Sequence, residues 1–281
     1  MATRGGQERG SVRSLERGLA LLVAMNRRKR ASVMELARDT RLPRPTVYRL
    51  LETLRQAGFV AYGSSTDRFQ LAPQVRALSD GFADDEWITE IASPLMAEFT
   101  RELVWPVALM TFDEGTMLVR ETTHQASRLS IDSGMVGRRL PMLRTAAGRA
   151  FLAFAPDNER GAILELLNHS RSTDDRYAQG TQRLNVMIKA IRAKGYATQE
   201  REINPRTSGI AVPIRVDERV LGSISVIWIA SALTMDEALH RFIKPLVHLS
   251  GRIITAMRNG SVLTSARGGA ATERFPGIAR G

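Results

Sequence analysis

The chain has 281 residues and no cysteine, which rules out disulfides, thiolate zinc sites and cysteine nucleophiles. Apolar residues make up 43% and charged residues 25%, a balance that excludes wholesale disorder, and no apolar run reaches the roughly 18–20 residues needed to span a membrane. The net charge of +11 is uneven: residues 1–70 carry 14 Arg and Lys against 6 Asp and Glu, a local +8 that points to a polyanion held by the N-terminal part.

Residues 1–11 are Gly-, Arg- and polar-rich, lack the apolar segment of a secretory signal, and read as a flexible arm of a cytoplasmic protein. Ser14 is the expected N-cap of a first helix, with Leu15, Leu19, Leu22 and Val23 on one face at i, i+4, i+7 and i+8. The basic run Arg27-Arg28-Lys29-Arg30 ends it. Ser32-Val33-Met34-Glu35 reads as a capping box, followed by a short helix that turns Val33, Leu36 and Ala37 inward. The stretch RLPRPTVYRLLETLRQAGFV, Arg41 to Val60, is the third helix. Pro43 and Pro45 sit at its entrance, where a missing N–H has no intrahelical partner to lose. Val47, Leu50, Leu51 and Leu54 form its apolar stripe, and Gly58 suits the turn after it. Phe59 to Tyr62, a Gly-Ser-Ser-Thr-Asp turn, and Arg68 to Leu71 then read as a hairpin.

Three short helices and a hairpin make residues 12–71 a winged helix-turn-helix. The prolines set the start of the third helix because that end enters the major groove of double-stranded DNA. Arg44 and Arg49 can donate to guanine edges or phosphates, and Thr46 can reach either. Arg13, Ser32, Pro45 and Tyr48 complete the expected DNA-contacting set.

Residues 72–92 read as a linker helix whose stripe of Val75, Leu78 and Phe82 either joins two subunits or packs on the second domain. Residues 93–258 read as an α+β domain with a largely antiparallel sheet. Its expected elements are a helix from Pro94 to Leu103 and a hairpin of VALMTF and TMLVRET around Asp113-Glu114-Gly115. A strand-like segment over 126–143, a helix from Thr145 to Phe154 and a polar loop over 168–180 follow. A further helix ends at Lys194, two strands (IAVPIRV and VLGSISVIWIA) meet at Asp217-Glu218-Arg219, and a last amphipathic helix carries Leu239, Phe242, Ile243, Leu246 and Ile253. Residues 259–281 read as a flexible tail. The small residues of TAAGRA let a carboxylate approach backbone N–H groups at a helix start, or simply allow close helix–sheet packing. Arg128, Arg138 and Arg206 could each pair a carboxylate.

His124, His169, His240 and His248 have no ligand-spaced partners, and no GxSxG, Walker A or GxGxxG motif occurs. No catalytic set, metal or cofactor is therefore expected. A binding protein is favoured over an enzyme with a nucleic-acid anchor, and a separate second domain argues against a purely architectural DNA binder.

RGLALL, SVMELA, LPRPTVYRLLETLRQAGFV and VGRRLPMLRTAAGRAFLAF together resemble the isocitrate-lyase-regulator (IclR) family of bacterial transcription factors, from about Val12 to Met257. LVWP, LVRETTH, RLS, MVGRRLP and IASALT are similar to the family's activators of hydroxyphenylpropionate catabolism. The resemblance implies a winged helix-turn-helix, a linker helix and a GAF-like α+β effector domain. It implies homodimers or tetramers formed as dimers of dimers, on operators of catabolic genes, with RNA polymerase as a candidate partner. It implies a small organic acid effector, often aromatic. Matched by motif, the effector positions fall at Leu129 on a preceding strand, Leu140, Ala146, Ala147, Gln199, Thr207, Gly209 and Ser225. Gln199, Gly209 and Ile227 stand where a small-acid binder of the family has an aspartate, a cysteine and a second serine, which implies a less polar, roomier pocket suited to a larger, aromatic acid.

Overall fold

The structure is a computed structural model that describes residues 12–28, 30–64, 66–78, 85–169 and 181–268. The expected arm (1–11) and residues 269–281 of the expected tail lie outside the described residues. The chain divides into two compact units, Met1–Ala83 with Asp132–Gly134, and Asp84–Ile131 with Met135–Gly281.

In the first unit α1 (Arg13–Asn26), α2 (Val33–Thr40) and α3 (Arg44–Gln56) precede a hairpin of β1 (Val60–Gly63) and β2 (Arg68–Leu71). Leu21, Met25, Leu36, Val47, Leu51, Val60 and Phe69 form its core. One expectation for α1 is corrected. Val12, not Ser14, is the N-cap, and it makes no side-chain cap bond. Leu15, Leu19 and Val23 face outward, 60%, 52% and 53% exposed, while Leu21, Ala24 and Met25 are buried. The helix carries two apolar faces, and packing on α2 and α3 selects the one that periodicity alone could not.

The capping box at α2 forms as expected: Ser32 Oγ accepts from Glu35 N (3.3 Å), and the Ser32 amide donates to Glu35 Oε2 (2.8 Å). Pro43 is the N-cap of α3 and Pro45 lies in its first turn. Val47 and Leu51 are buried, with Leu50 and Leu54 packed beside them. Gly58, at φ +81°, takes the left-handed turn that releases the chain into the wing. The wing pairs Val60 with Leu71 and Tyr62 with Phe69, and an Ala31–Phe69 bridge ties it to the loop before α2.

Of the linker helix expected over 72–92, residues 79–84 lie outside the described residues, and the described part holds two helical pieces. The short α4 (Gln74–Ala77) stops beside Leu78, which is 61% exposed, and a π-helical turn at Trp87–Ala92 runs into α5 (Ser93–Leu103). Phe82 lies outside the described residues.

The second unit is built on an antiparallel sheet ordered β5-β4-β3-β8-β7-β6. Its strands are β3 (Val107–Asp113), β4 (Thr116–Thr122), β5 (Arg139–Pro141), β6 (Ala197–Glu200), β7 (Thr207–Val216) and β8 (Arg219–Ile229). Side chains alternate between two cores. Ala108, Met117, Leu140 and Ala211 pack with α6 (Ala146–Phe154), α7 (Asp157–His169) and α8 (Thr181–Lys194). Ile210, Val212, Ile224 and Trp228 pack with α5 and α9 (Met235–Gly268).

Several expectations are corrected here. Of 126–143, residues 139–141 form a strand and 142–144 a 3-10 turn; most of the rest is irregular, with positive φ at Gly134 and Gly137. Helix α7 and strand β6 were not foreseen. The polar loop expected over 168–180 begins inside α7, and 170–180 lie outside the described residues. Helix α9 continues to Gly268, past the expected start of the tail. No helix among the described residues is long and apolar enough to cross a membrane.

Candidate DNA interface and effector site

In the first unit the leading end of α3 is presented to solvent. Arg44, Pro45, Tyr48 and Arg49 are exposed, and Thr46 is half-buried. Arg44 and Arg49 have no carboxylate within ion-pair distance among the described residues, whereas Arg55, further along α3, is held by Glu52 at 2.7 Å. Charge on the front turns is thus open to a polyanion, and charge at the back is neutralised. Thr46 and Arg49 also border a groove of about 570 Å3 shared with Leu15, Leu19 and Leu50, so the outward stripe of α1 adjoins the α3 face.

Two of the expected contacts, Arg13 and Ser32, lie outside α3. Arg13 is exposed in the first turn of α1. Ser32 spends its hydroxyl on the capping box, where Oγ also donates to Glu35 Oε2 at 3.1 Å. Sequence reasoning missed the centre of this network. The Glu35 carboxylate also accepts from Arg68 of the wing at 3.1 Å and lies 3.8 Å from Arg28, which pairs with Asp39 at 2.7 Å. The Ser32 backbone amide, then its hydroxyl and the two arginines, hold the Glu35 carboxyl below the usual carboxylate range. A capping-box glutamate flanked by arginines was the only signal for it in the sequence.

In the second unit the strand register gathers most of the expected effector positions on one face. Gln199 pairs with Gly209, Gly209 with Ile227, Ala211 with Ser225, and Ser225 with Ala108. Side chains of directly paired residues share a face, so Gln199, Thr207, Gly209 and Ser225 join Ala108 and Ala211 on the face that α6 covers. Leu140 reaches the same core through its pairing with Met117. Ala146 and Ala147 form the first turn of α6, both buried. Leu129 does not lie on a strand: it sits in the irregular segment, 38% exposed, with its amide donating to Ser127 Oγ at 3.2 Å.

The start of α6 is tightly specified. Thr145 caps it by accepting from Gly148 N at 2.9 Å, and a Cβ on Gly148 would lie 2.1 Å from the Met142 carbonyl oxygen. The amides of Ala146 and Ala147 precede any intrahelical acceptor. Polar groups around them are partly committed: Gln199 Oε1 accepts from the Glu202 amide at 3.2 Å, and Ser225 Oγ donates to the Ala108 carbonyl at 3.3 Å. Arg149 went unnoticed in the sequence. It binds the Leu143 and Thr198 carbonyls at 2.7 Å each and Glu202 at 2.6 Å, tying α6 to β6. Of the arginines expected to pair a carboxylate, Arg128 and Arg206 are exposed, and Arg138 donates to Met135 Sδ at 2.9 Å. Among the described residues no group of three His, Cys, Asp or Glu is placed to hold a metal ion.

Residues 14–64 match the model of the IclR helix-turn-helix domain, and residues 82–254 that of the bacterial transcriptional regulator IclR C-terminal domain. The Pca regulon regulatory protein of Pseudomonas putida is 27% identical over 241 residues, 84% of this chain and 81% of that protein. A solved transcriptional regulator from Rhodococcus sp. RHA1 is 25% identical, with a TM-score of 0.56 over 87% of this chain and 98% of its own. An IclR homologue from Microbacterium hydrocarbonoxydans, solved with 4-hydroxybenzoate, shares the fold at 20% identity, with a TM-score of 0.57 over 88% of this chain and 99% of its own.

Proposed function

The chain belongs to the IclR family of bacterial transcriptional regulators, and from that premise we propose that this DNA-binding regulator controls catabolic genes in response to an aromatic carboxylic acid. The leading turns of α3 enter the major groove, with Arg44, Thr46 and Arg49 as the contacting side chains and Pro45, Tyr48 and Arg13 beside them. The effector lies in the second unit against the first turn of α6. Its carboxylate meets the Ala146 and Ala147 amides, and its ring lies over the strand face of Gln199, Thr207, Gly209 and Ser225, with Leu140 and Leu129 as apolar walls. The working form is a cytoplasmic homodimer, or a dimer of dimers, on a two-fold related operator, with RNA polymerase as a candidate partner.

The observation that carries the effector reading is the juxtaposition at α6: a helix start with small side chains, packed on a strand face that has glycine at its centre and hydroxyls at positions 207 and 225. In the Microbacterium hydrocarbonoxydans homologue the same fold carries 4-hydroxybenzoate. The test is a thermal-shift screen of hydroxylated phenylpropionates, cinnamates and benzoates, followed by calorimetric titration of the best hit. Ala147→Trp fills the space before the α6 amides and should weaken binding about tenfold or more, since a filled pocket excludes its ligand. Equal affinities would move the site elsewhere, and conversion of the hit by pure protein would replace this reading with an enzymatic one.

A further inference from the structure

Helix α2 ends at Thr40 and α3 begins at Arg44, so three residues reverse the chain. Two of them have little freedom. Leu42 packs against the core of the first unit, and Pro43 is extended at φ −58° and ψ 141° as the N-cap of α3. The reversal therefore falls on Arg41, which is left-handed at φ 58° and ψ 26°. This conformation crowds any Cβ, and glycine takes it without that penalty. The chain uses glycine for the same task after α3, at Gly58 (φ 81°), and after α8, at Gly195 (φ 83°), and a side-chain-bearing residue after α5, at Val104 (φ 69°).

The Arg41 side chain gains nothing inside the unit for this backbone conformation. The side chain is exposed. Among the described residues it meets neither a carboxylate nor a carbonyl, although Arg28, Arg55 and Arg68 of the same unit hold acids at 2.7, 2.7 and 3.1 Å. Its position is the loop that delivers the leading end of α3, three residues before Arg44.

We propose that Arg41 is a phosphate-binding residue of the DNA interface. Its guanidinium engages the sugar-phosphate backbone beside the groove that α3 enters and sets the register of that helix without reading sequence. The left-handed backbone is the cost in fold stability at which this contact is kept. This rests on the reading of the first unit as the DNA-binding unit and adds a residue to it.

The experiment compares full-length wild type, Arg41→Gly, Arg41→Lys and Arg49→Ala. Each is titrated by fluorescence anisotropy, over a range of salt, with a duplex selected from a random pool by the wild type and with an unselected duplex. Arg41→Gly should bind both duplexes about fivefold more weakly, with a slope of log affinity against log salt shallower by about 0.9, the value of one lost phosphate contact. Its thermal midpoint should equal or exceed that of the wild type, because glycine relieves the left-handed residue. Arg41→Lys keeps the charge and should retain the slope. Arg49→Ala should lose about tenfold or more on the selected duplex only. The proposal is overturned by a wild-type slope for Arg41→Gly while Arg49→Ala is impaired, by a lowered midpoint for Arg41→Gly, or by Arg41→Lys behaving like the glycine variant. If Arg49→Ala also binds like wild type, it is the assignment of α3 as the reading helix that fails.

Discussion

At Gly148 the missing side chain is what lets the helix start close on the turn before it. The helix start of α6 lies so close to the preceding turn that a Cβ there would be 2.1 Å from the Met142 carbonyl oxygen, which is main chain and cannot swing aside. Gly148→Ala should therefore destabilise the second unit by about 2 kcal/mol, read as a lower urea midpoint, and should displace the Thr145 cap with it. A midpoint within error of wild type would mean that the Met142 turn is softer than its geometry implies. In the sequence, TAAGRA pointed to a ligand approach or to tight packing, and the structure gives the glycine to packing and leaves the two alanines at the helix start. Ser32 makes the complementary case. A serine near a helix-turn-helix can bond to DNA or cap a helix, and here its hydroxyl oxygen accepts from the Glu35 amide.

Among the elements, α2 depends on its capping box more than its length would suggest. It spans Val33–Thr40, with Leu36 as its buried residue, so its packing face is narrow. The Glu35 carboxylate binds the Ser32 amide, the wing through Arg68, and the end of α1 through Arg28. Its folded pKa lies below the unfolded value, so the ionised group stabilises the fold above the usual carboxylate range, and that contribution is lost as pH falls through the folded pKa. Glu35→Gln should lower the thermal midpoint near neutral pH. The gap from wild type should close as pH falls below the usual carboxylate range, where the wild-type carboxyl takes up its proton. A gap independent of pH would show that the glutamate acts through its shape alone.

The elements misread in the sequence share a cause. On α1 two apolar faces were available, and the buried one was set by neighbours that the sequence does not place. Strand β6 is four residues long, Ala-Thr-Gln-Glu, and carries no pattern until it is paired with β7. The stretch 126–138 was strand-like only in scattered apolar residues between glycines, and none of it forms a strand.

For the whole molecule, the expectation is self-association on DNA. Leu15, Leu19 and Val23 leave apolar side chains on the surface of α1, and Leu78 does so after α4. Isolated exposed apolar residues are common, but three on one helix face make a continuous stripe. Light scattering at micromolar concentration should give at least twice the monomer mass, and operator half-sites should lie about 10 base pairs apart or at multiples of that spacing. A monomer would remove the two-fold operator from the proposal.

The sequence by itself determined the winged helix-turn-helix, the leading end of α3, the capping box, the two central strands and the family. Each of these is written in local terms: prolines and cap residues at set offsets, an apolar stripe of one period, or a long continuous motif. Only the tertiary structure decided which face of α1 is buried, that Glu35 joins three elements, that Leu129 is off the sheet, and that Gln199, Gly209 and Ser225 share one side of it with α6. Those facts depend on strand register and on contacts between residues up to 117 positions apart, such as Ser225 with Ala108, and no local pattern encodes which distant partner a segment will meet.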